Sequence, residues 1–298
     1  MDAIEALVKE AKTKALRVGA FLDELPEYAD MVIYPVDEAE AEFEKYATRN
    51  AGQDLLFGYP KLDDISNGVM PGHICLLAAR PGIGKTNFIL NVIRKQTKRV
   101  LFFSLEMTVY EIVARGIQIS TGIHQKYLPE IIRTNPDRYA DVLVRYNQNF
   151  AHMLVADKSG LTPKNIHFLT QLAERQFGDI SAIFIDYFNL LRCEGRFTGP
   201  YDHASQVARA LQEVAKELNK PILCACQLNR QGSDYTKPPR LEHLRESGVL
   251  EEVTALVLGI HRPDDEKAVI TVLKNKRGPL GSVDMQFDWK TLKIEEEA

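Results

Sequence analysis

An apolar run from His73 to Ala78 leads into Ala79-Arg80-Pro81-Gly82-Ile83-Gly84-Lys85-Thr86, after which apolar residues recur at Phe88, Leu90 and Ile93. A strand, a glycine-bearing turn and a helix in immediate succession point to alternating α/β architecture and leave few other folds open. Against G-x-x-x-x-G-K-[ST] the octet matches at Gly84, Lys85 and Thr86 and carries Ala79 at the first glycine position. The segment Arg80, Pro81, Gly82, Ile83, Gly84, Lys85, Thr86 and Asn87 is therefore a candidate phosphate cradle. Backbone N–H groups at the positive end of a helix would meet phosphate oxygens, Lys85 would reach the β and γ oxygens, and the Thr86 hydroxyl would hold Mg²⁺.

The same alternation continues along the chain. Strand-like runs at His73–Ala78, Val100–Ser104, Met153–Ala156, Ala182–Asp186 and Ile222–Cys226 are mostly separated by helical patterns, which predicts a parallel sheet covered by helices. Ala255–Ile260, Ala268–Leu273 and Val283–Phe287 follow with only turns between them and read as antiparallel strands at one edge. Ahead of these, Met1 to about Val18 and Glu38 to Thr48 read as short amphipathic helices. The expected organisation is a helical arm over 1–57 and one α/β domain over 58–298. Glu295-Glu296-Glu297 reads as a solvated tail.

Composition removes several alternatives. No apolar run reaches the roughly 20 residues of a membrane helix, and the first residues lack a signal-peptide core, so a cytoplasmic protein with no membrane partner is expected. Cys75, Cys193, Cys224 and Cys226 lack paired metal-ligand spacing and read as small buried thiols. The net charge of −4 is unevenly spread. Between Phe21 and Asp64 twelve acidic residues face three basic ones, so the remainder carries −4 + 9 = +5 and a basic surface on the α/β domain stays open.

Two further strands end in acids. Phe102-Phe103-Ser104-Leu105-Glu106-Met107 places Glu106 just past a strand, where a carboxylate serves as general base toward a water, or as a turn or cap residue. Ile183-Phe184-Ile185-Asp186 resembles a Walker B strand whose acid holds Mg²⁺, with the same bland alternative. Alongside Lys85 and Thr86 the catalytic reading of both is favoured. Gln227 ends a third strand, where a neutral amide senses a γ-phosphate or satisfies loose backbone groups.

Several segments occur in one order: Gly58-Tyr59 with Leu62-Asp63, the Ala79–Thr86 loop, Ser104-Leu105-Glu106-Met107, Ser159-Gly160-Leu161-Thr162-Pro163, Ile185-Asp186-Tyr187, Gln227-Leu228-Asn229-Arg230, Leu244-Arg245-Glu246-Ser247-Gly248 and Gly278-Pro279-Leu280-Gly281. In this the chain resembles DnaB-type replicative helicases over about Gly58 to Phe287. The resemblance implies a RecA-like P-loop NTPase motor that uses ATP and Mg²⁺ and forms a homo-hexameric ring translocating 5′ to 3′ on single-stranded DNA. It also implies a primase or helicase loader as partner. Position by position, it assigns Lys85 and Thr86 to the Walker A pair, Glu106 to the catalytic base, Asp186 to Walker B and Gln227 to the γ-phosphate sensor. Arg245, Glu246 and Gly248 fall in the loop that holds the DNA backbone, and Arg196 in a second pore loop. The substituted first glycine is shared with the family.

The chain departs from the family pattern near Lys274-Asn275-Lys276-Arg277, where a lysine takes the usual place of the trans-acting finger and the arginine follows it. Lys274, Lys276 and Arg277 are all candidates. On a strand adjacent residues face opposite ways, so Lys276 and Arg277 are not expected to serve one phosphate unless the strand ends or bulges there. The family's helical N-terminal domain is absent from the resemblance, and Glu38–Thr48 corresponds to its linker helix. Two other readings stand beside the helicase: a RecA-like recombination ATPase, and a nucleotide-dependent loading or assembly protein without unwinding. The motif order and the Leu244–Gly248 signature favour the helicase over the recombinase, and intact Glu106 and Asp186 speak against an inactive ATPase.

Overall fold

Ile74–Ala79 forms β1, and every one of its residues is buried. Alternate side chains enter different cores: Cys75, Leu77 and Ala79 pack on one face of the sheet, Ile74, Leu76 and Ala78 on the other. Such a strand needs helices on both sides, which is why its sequence is continuously apolar. The computed structural model describes residues 54–193, 197–228, 237–242, 244 and 248–297, together with 40, 44 and 48. The chain divides into two compact units, Met1–Ala51 and Gly52–Ala298. In the first, the expected helix over Met1 to Val18 lies outside the described residues. Residues 40, 44 and 48 of the second expected helix are helical, and the Thr48 hydroxyl donates to the Glu44 carbonyl at 2.7 Å.

The larger unit runs α1 (Pro60–Ser66), β1, α2 (Lys85–Arg94), β2 (Val100–Ser104), α3 (Val109–Thr121), α4 (Leu128–Thr134), α5 (Pro136–Phe150), β3 (Met153–Asp157), α6 (Pro163–Phe177), β4 (Ala182–Asp186), α7 (Pro200–Leu218), β5 (Ile222–Gln227), α8 (Gly248–Val253), β6 (Leu256–His261), β7 (Lys267–Asn275), β8 (Gly281–Asp288) and β9 (Lys293–Glu296). The nine strands form one sheet in the order β3-β2-β4-β5-β1-β6-β7-β8-β9. The first six are parallel, and β7 to β9 extend the β6 edge in antiparallel fashion. Phe88, Ile89, Ile112 and Phe150 from α2, α3 and α5 cover one face, while Ile166, Val207 and Leu211 from α6 and α7 cover the other.

β9 corrects the reading of the acidic end as a solvated tail. Glu295 binds Arg94 and Lys95 at the end of α2, and the Glu296 carboxylate accepts from the Lys61 and Leu62 amides at the start of α1. Free N–H groups in the first helical turn attract a carboxylate, so α1 is capped from a distant strand. Asn91 completes the join: from inside α2 its amide donates to the Leu292 carbonyl at 2.8 Å, and its oxygen accepts from the Ile294 amide at 3.2 Å.

Some of the motifs that carry the resemblance build the frame. The Asp63 carboxylate accepts from the amides of Phe57, Gly58 and Tyr59, and the Tyr59 hydroxyl donates to the Ile294 carbonyl at 3.0 Å. Thr162 and Asn165 form a reciprocal capping box at the start of α6, with Pro163 in the first turn. The four cysteines are free thiols, and burial raises the pKa of Cys226 to about 12. Among the described residues no helix is long and apolar enough to cross a membrane.

Candidate nucleotide-binding site

Strand register brings the site together. Ala79 at the end of β1 pairs with Gln227 at the end of β5, and Ser104 at the end of β2 pairs with Asp186 at the end of β4. All four chain segments therefore turn off the sheet at the same edge, the usual place for ligands in a parallel sheet. Ala79 is itself the last strand residue and fully buried, so a small side chain fits there without a glycine's freedom. Glycine is needed further on, at Gly82 (φ +75°) and Gly84 (φ +109°), where L side chains are strained. A Cβ at Gly82 would meet nothing within 4 Å, which leaves the crest of the loop open.

Gly84 precedes α2 without a side-chain cap, so the first N–H groups of this helix face the loop. Lys85 is buried and its ammonium points back to the Arg80 carbonyl at 3.5 Å; burial lowers its pKa, against the pull of Asp186 and Glu106. The Thr86 hydroxyl donates to Asp186 Oδ2 at 2.5 Å. Asp186 is 1% exposed, and its Oδ1 is buried without a hydrogen-bond partner. Burial raises its pKa, while the Thr86 bond and the Lys85 charge oppose the rise.

The loop after β2 presents the general-base candidate. The Ser104 hydroxyl donates to the Met107 carbonyl at 2.6 Å and the Leu105 amide to the Asp186 carbonyl at 2.9 Å. Those two bonds fix a tight turn whose exposed residue is Glu106. On β5, Gln227 is half-buried and its backbone N–H donates to Asn189 Oδ1 at 3.2 Å.

Glu106, Met107 and Gln227 line one cavity of about 550 Å³, together with Pro81, Gly82, Gly84, Lys85, Thr86 and Asn87. Of the expected cradle, Arg80 and Ile83 are buried behind it. Asp186 is reached through Thr86. The cavity also takes in Glu111, Arg115, Gln118, His124, Trp289 and Leu292, which sequence reading missed. Arg115 lies one helical turn after Glu111 and donates to Asn87 Oδ1 at 3.0 Å, tying α3 to the cradle. Its place on the helix was readable from the Thr108–Glu111 capping box, but its direction toward α2 was not.

The finger candidates lie elsewhere. Asn275 pairs with Leu256, which pairs with Cys75, four residues before Ala79 and thus roughly 13 Å along the strand from the loop edge. Lys274 donates to the Glu251 carbonyl at 2.5 Å, Lys276 to the Glu252 carbonyl at 3.3 Å, and Arg277 pairs with Asp54 at 3.0 Å. β7 ends at Asn275, so Lys276 and Arg277 lie past the strand and the expected alternation does not separate them. Gly248 starts α8; Arg196, Arg245 and Glu246 lie outside the described residues.

A parallel sheet with a glycine-lysine-threonine loop at its carboxyl edge, an acid-capped neighbouring strand and an antiparallel extension defines a RecA-like P-loop protein. The chain belongs to the DnaB-like helicase C-terminal domain family, whose model matches residues 55–296. It is 29% identical over 245 residues to the replicative DNA helicase DnaB of Pasteurella multocida (strain Pm70), covering 77% of this chain and 52% of that protein. An ATPase domain solved on its own superposes with a TM-score of 0.79 at 24% identity, over 90% of this chain and 100% of that one. A DnaB-like replicative helicase solved in a study of its interactions with primase gives 0.75 at 23%, over 97% and 76%. The chain spans about half the length of the curated relatives it matches.

Proposed function

We propose that this chain is the motor of an ATP-dependent replicative DNA helicase that works as a homo-hexameric ring and moves 5′ to 3′ on single-stranded DNA. The observation that carries the reading is the Thr86–Asp186 hydrogen bond beneath a loop that also gathers Lys85, Glu106 and Gln227 around one cavity. Family membership favours the helicase over a recombination ATPase or a loading protein.

The donor set suits Mg²⁺. The buried Asp186 oxygen without a partner, beside a hydroxyl, is a hard oxygen pair of the kind that ion takes. Thr86 and Asp186 would hold it, and bound there it neutralises phosphate charge. Lys85 and the α2 amides hold the triphosphate of ATP. Glu106 orients the attacking water and accepts its proton, which suits a carboxylate that stands free of the buried floor. Gln227 distinguishes the presence of the γ-phosphate.

A cation that stabilises charge on the transferring phosphoryl group comes from the Lys274–Arg277 segment of a neighbouring copy, because that segment follows the end of β7 that lies away from its own phosphate loop. Arg245, Glu246, Gly248 and Arg196 hold DNA phosphates in the ring channel. Primase or a helicase loader is the partner protein.

The test is ATP hydrolysis by the purified chain with and without single-stranded DNA, paired with particle images. Stimulation by DNA on ring-shaped particles is the expected outcome. Hydrolysis indifferent to DNA, on isolated single copies, would overturn the reading.

A further inference from the structure

The turn that follows β7 is stitched to the end of α1. Asn275, the last residue of β7, donates through its side-chain amide to the Ile65 carbonyl at 3.1 Å and to the Ser66 and Pro279 carbonyls at 3.3 Å. Its Oδ1 accepts from the Arg277 backbone N–H at 2.9 Å, and the Asn67 side-chain amide donates to the Arg277 carbonyl at 3.2 Å. A Cβ at Gly278 would lie 2.8 Å from the Asn67 amide nitrogen, 2.9 Å from that of Asn275 and 3.0 Å from the Ile65 carbonyl oxygen. Only glycine lets the turn pack this closely, so the backbone of Arg277 is fixed on both sides.

On that frame the Arg277 guanidinium pairs with Asp54, Nη1 to Oδ2 at 3.0 Å, with the arginine side chain 38% exposed and the carboxylate 26%. Asp54 is held in its turn, because the next residue, Leu55, exchanges both backbone hydrogen bonds with Val69, at 2.8 and 3.0 Å. Among the described residues the guanidinium uses one of its five N–H donors, on Asp54. The two lysines of the segment point elsewhere, to the Glu251 and Glu252 carbonyls of α8. A half-exposed ion pair adds little to stability, whereas a planar fork held at one nitrogen has the direction of its remaining donors narrowed.

We propose that Asp54 is the positioning residue for Arg277, holding one edge of its guanidinium so that the other edge meets a phosphoryl oxygen in the site of a neighbouring copy. The inference rests on the reading of the Lys274–Arg277 segment as a trans-acting cation and adds the residue that aims it. Arg277 lies past the end of its strand, where no pleat sets the direction of a side chain. A long side chain ordered beforehand by a carboxylate loses less freedom when the phosphate arrives. Asp54 offsets part of the arginine's charge, so what it contributes is direction, which appears in turnover and not in nucleotide affinity.

A double-mutant cycle on the full chain tests this. For the wild type, Asp54→Ala, Asp54→Asn, Arg277→Ala and the Asp54→Ala/Arg277→Ala double variant, kcat and KM for ATP are measured with single-stranded DNA present, and Tm is measured alongside. Asp54→Ala is expected to lower kcat about tenfold with KM and Tm unchanged. Asp54→Asn, whose side-chain oxygen still accepts from Nη1, is expected to keep most of the wild-type rate. In the Arg277→Ala background, removal of Asp54 is expected to cost nothing more. The same tenfold loss in that background, an unchanged or raised kcat in Asp54→Ala, or a loss that tracks a fallen Tm overturns the positioning role while leaving the trans cation standing. Wild-type turnover by Arg277→Ala removes Arg277 from the trans cation and takes the role of Asp54 with it.

Discussion

Thr86 and Asp186 lie one hundred positions apart in the chain, and the hydroxyl of one donates to the carboxylate of the other at 2.5 Å. The bond joins the first turn of α2 to the end of β4 and leaves a carboxylate with one oxygen satisfied and one bare, in almost complete burial. A buried charge of this kind costs stability and is retained where it acts on a ligand.

Asp186→Asn is therefore expected to abolish metal-dependent hydrolysis and to raise the melting temperature at neutral pH. The folded-state pKa of Asp186 is raised by burial, so its favourable contribution is present below the unfolded pKa and is lost as pH rises through the folded value. Ionised, the wild type carries a buried charge that the variant does not. The gain should shrink as pH falls from the raised folded value toward the unfolded one, and thermal melts across a falling pH series measure it.

Cradle and base are separable. Lys85→Ala is expected to lose nucleotide binding, since the buried ammonium is the cradle's own cation. Glu106→Gln is expected to bind ATP normally and to hydrolyse it about 10²-fold more slowly or worse. Equilibrium binding and single-turnover hydrolysis on the two variants distinguish these effects, and full turnover by Glu106→Gln removes that residue from the base role.

Asn91→Leu is expected to destabilise the fold by ~2–4 kcal/mol, because it leaves the buried Ile294 amide and the half-buried Leu292 carbonyl without their side-chain partner. Urea unfolding with an unchanged slope measures it.

Hydrolysis should depend on contact between copies. Variants at Lys276 and Arg277 are expected to lose on the order of 10³-fold in turnover while binding ATP normally, because the missing cation acts on a neighbour. Mixing such subunits with Lys85→Ala subunits should restore part of the activity, since each mixed junction can join an intact loop to an intact finger segment. Loss of nucleotide affinity in the finger variants, or no recovery on mixing, contradicts a trans arrangement.

The parallel sheet was legible because its strands are apolar on both faces; the expected runs match β1 to β8 within a few residues at each end. The gathering of Lys85, Thr86, Glu106 and Gln227 around one cavity was legible for a related reason: each lies at the end of such a strand or a few residues past it, and strand ends in a parallel sheet share an edge. β9 was not, because Lys293-Ile294-Glu295-Glu296 offers a single buried apolar side chain and its acids are satisfied by α1 and α2, far away in sequence. Arg115 and Trp289 escaped for the same cause. Their direction is fixed by Asn87 and by Asp265, and periodicity carries no information about those long-range partners.

Strand displacement on a forked duplex tests the central claim most directly. With ATP and Mg²⁺ the wild-type chain is predicted to displace the partner strand when the fork offers a 5′ single-stranded arm for loading, and Glu106→Gln to bind the same fork without displacing it. Vigorous ATP hydrolysis with no displacement, or displacement that requires only a 3′ arm, would contradict the account.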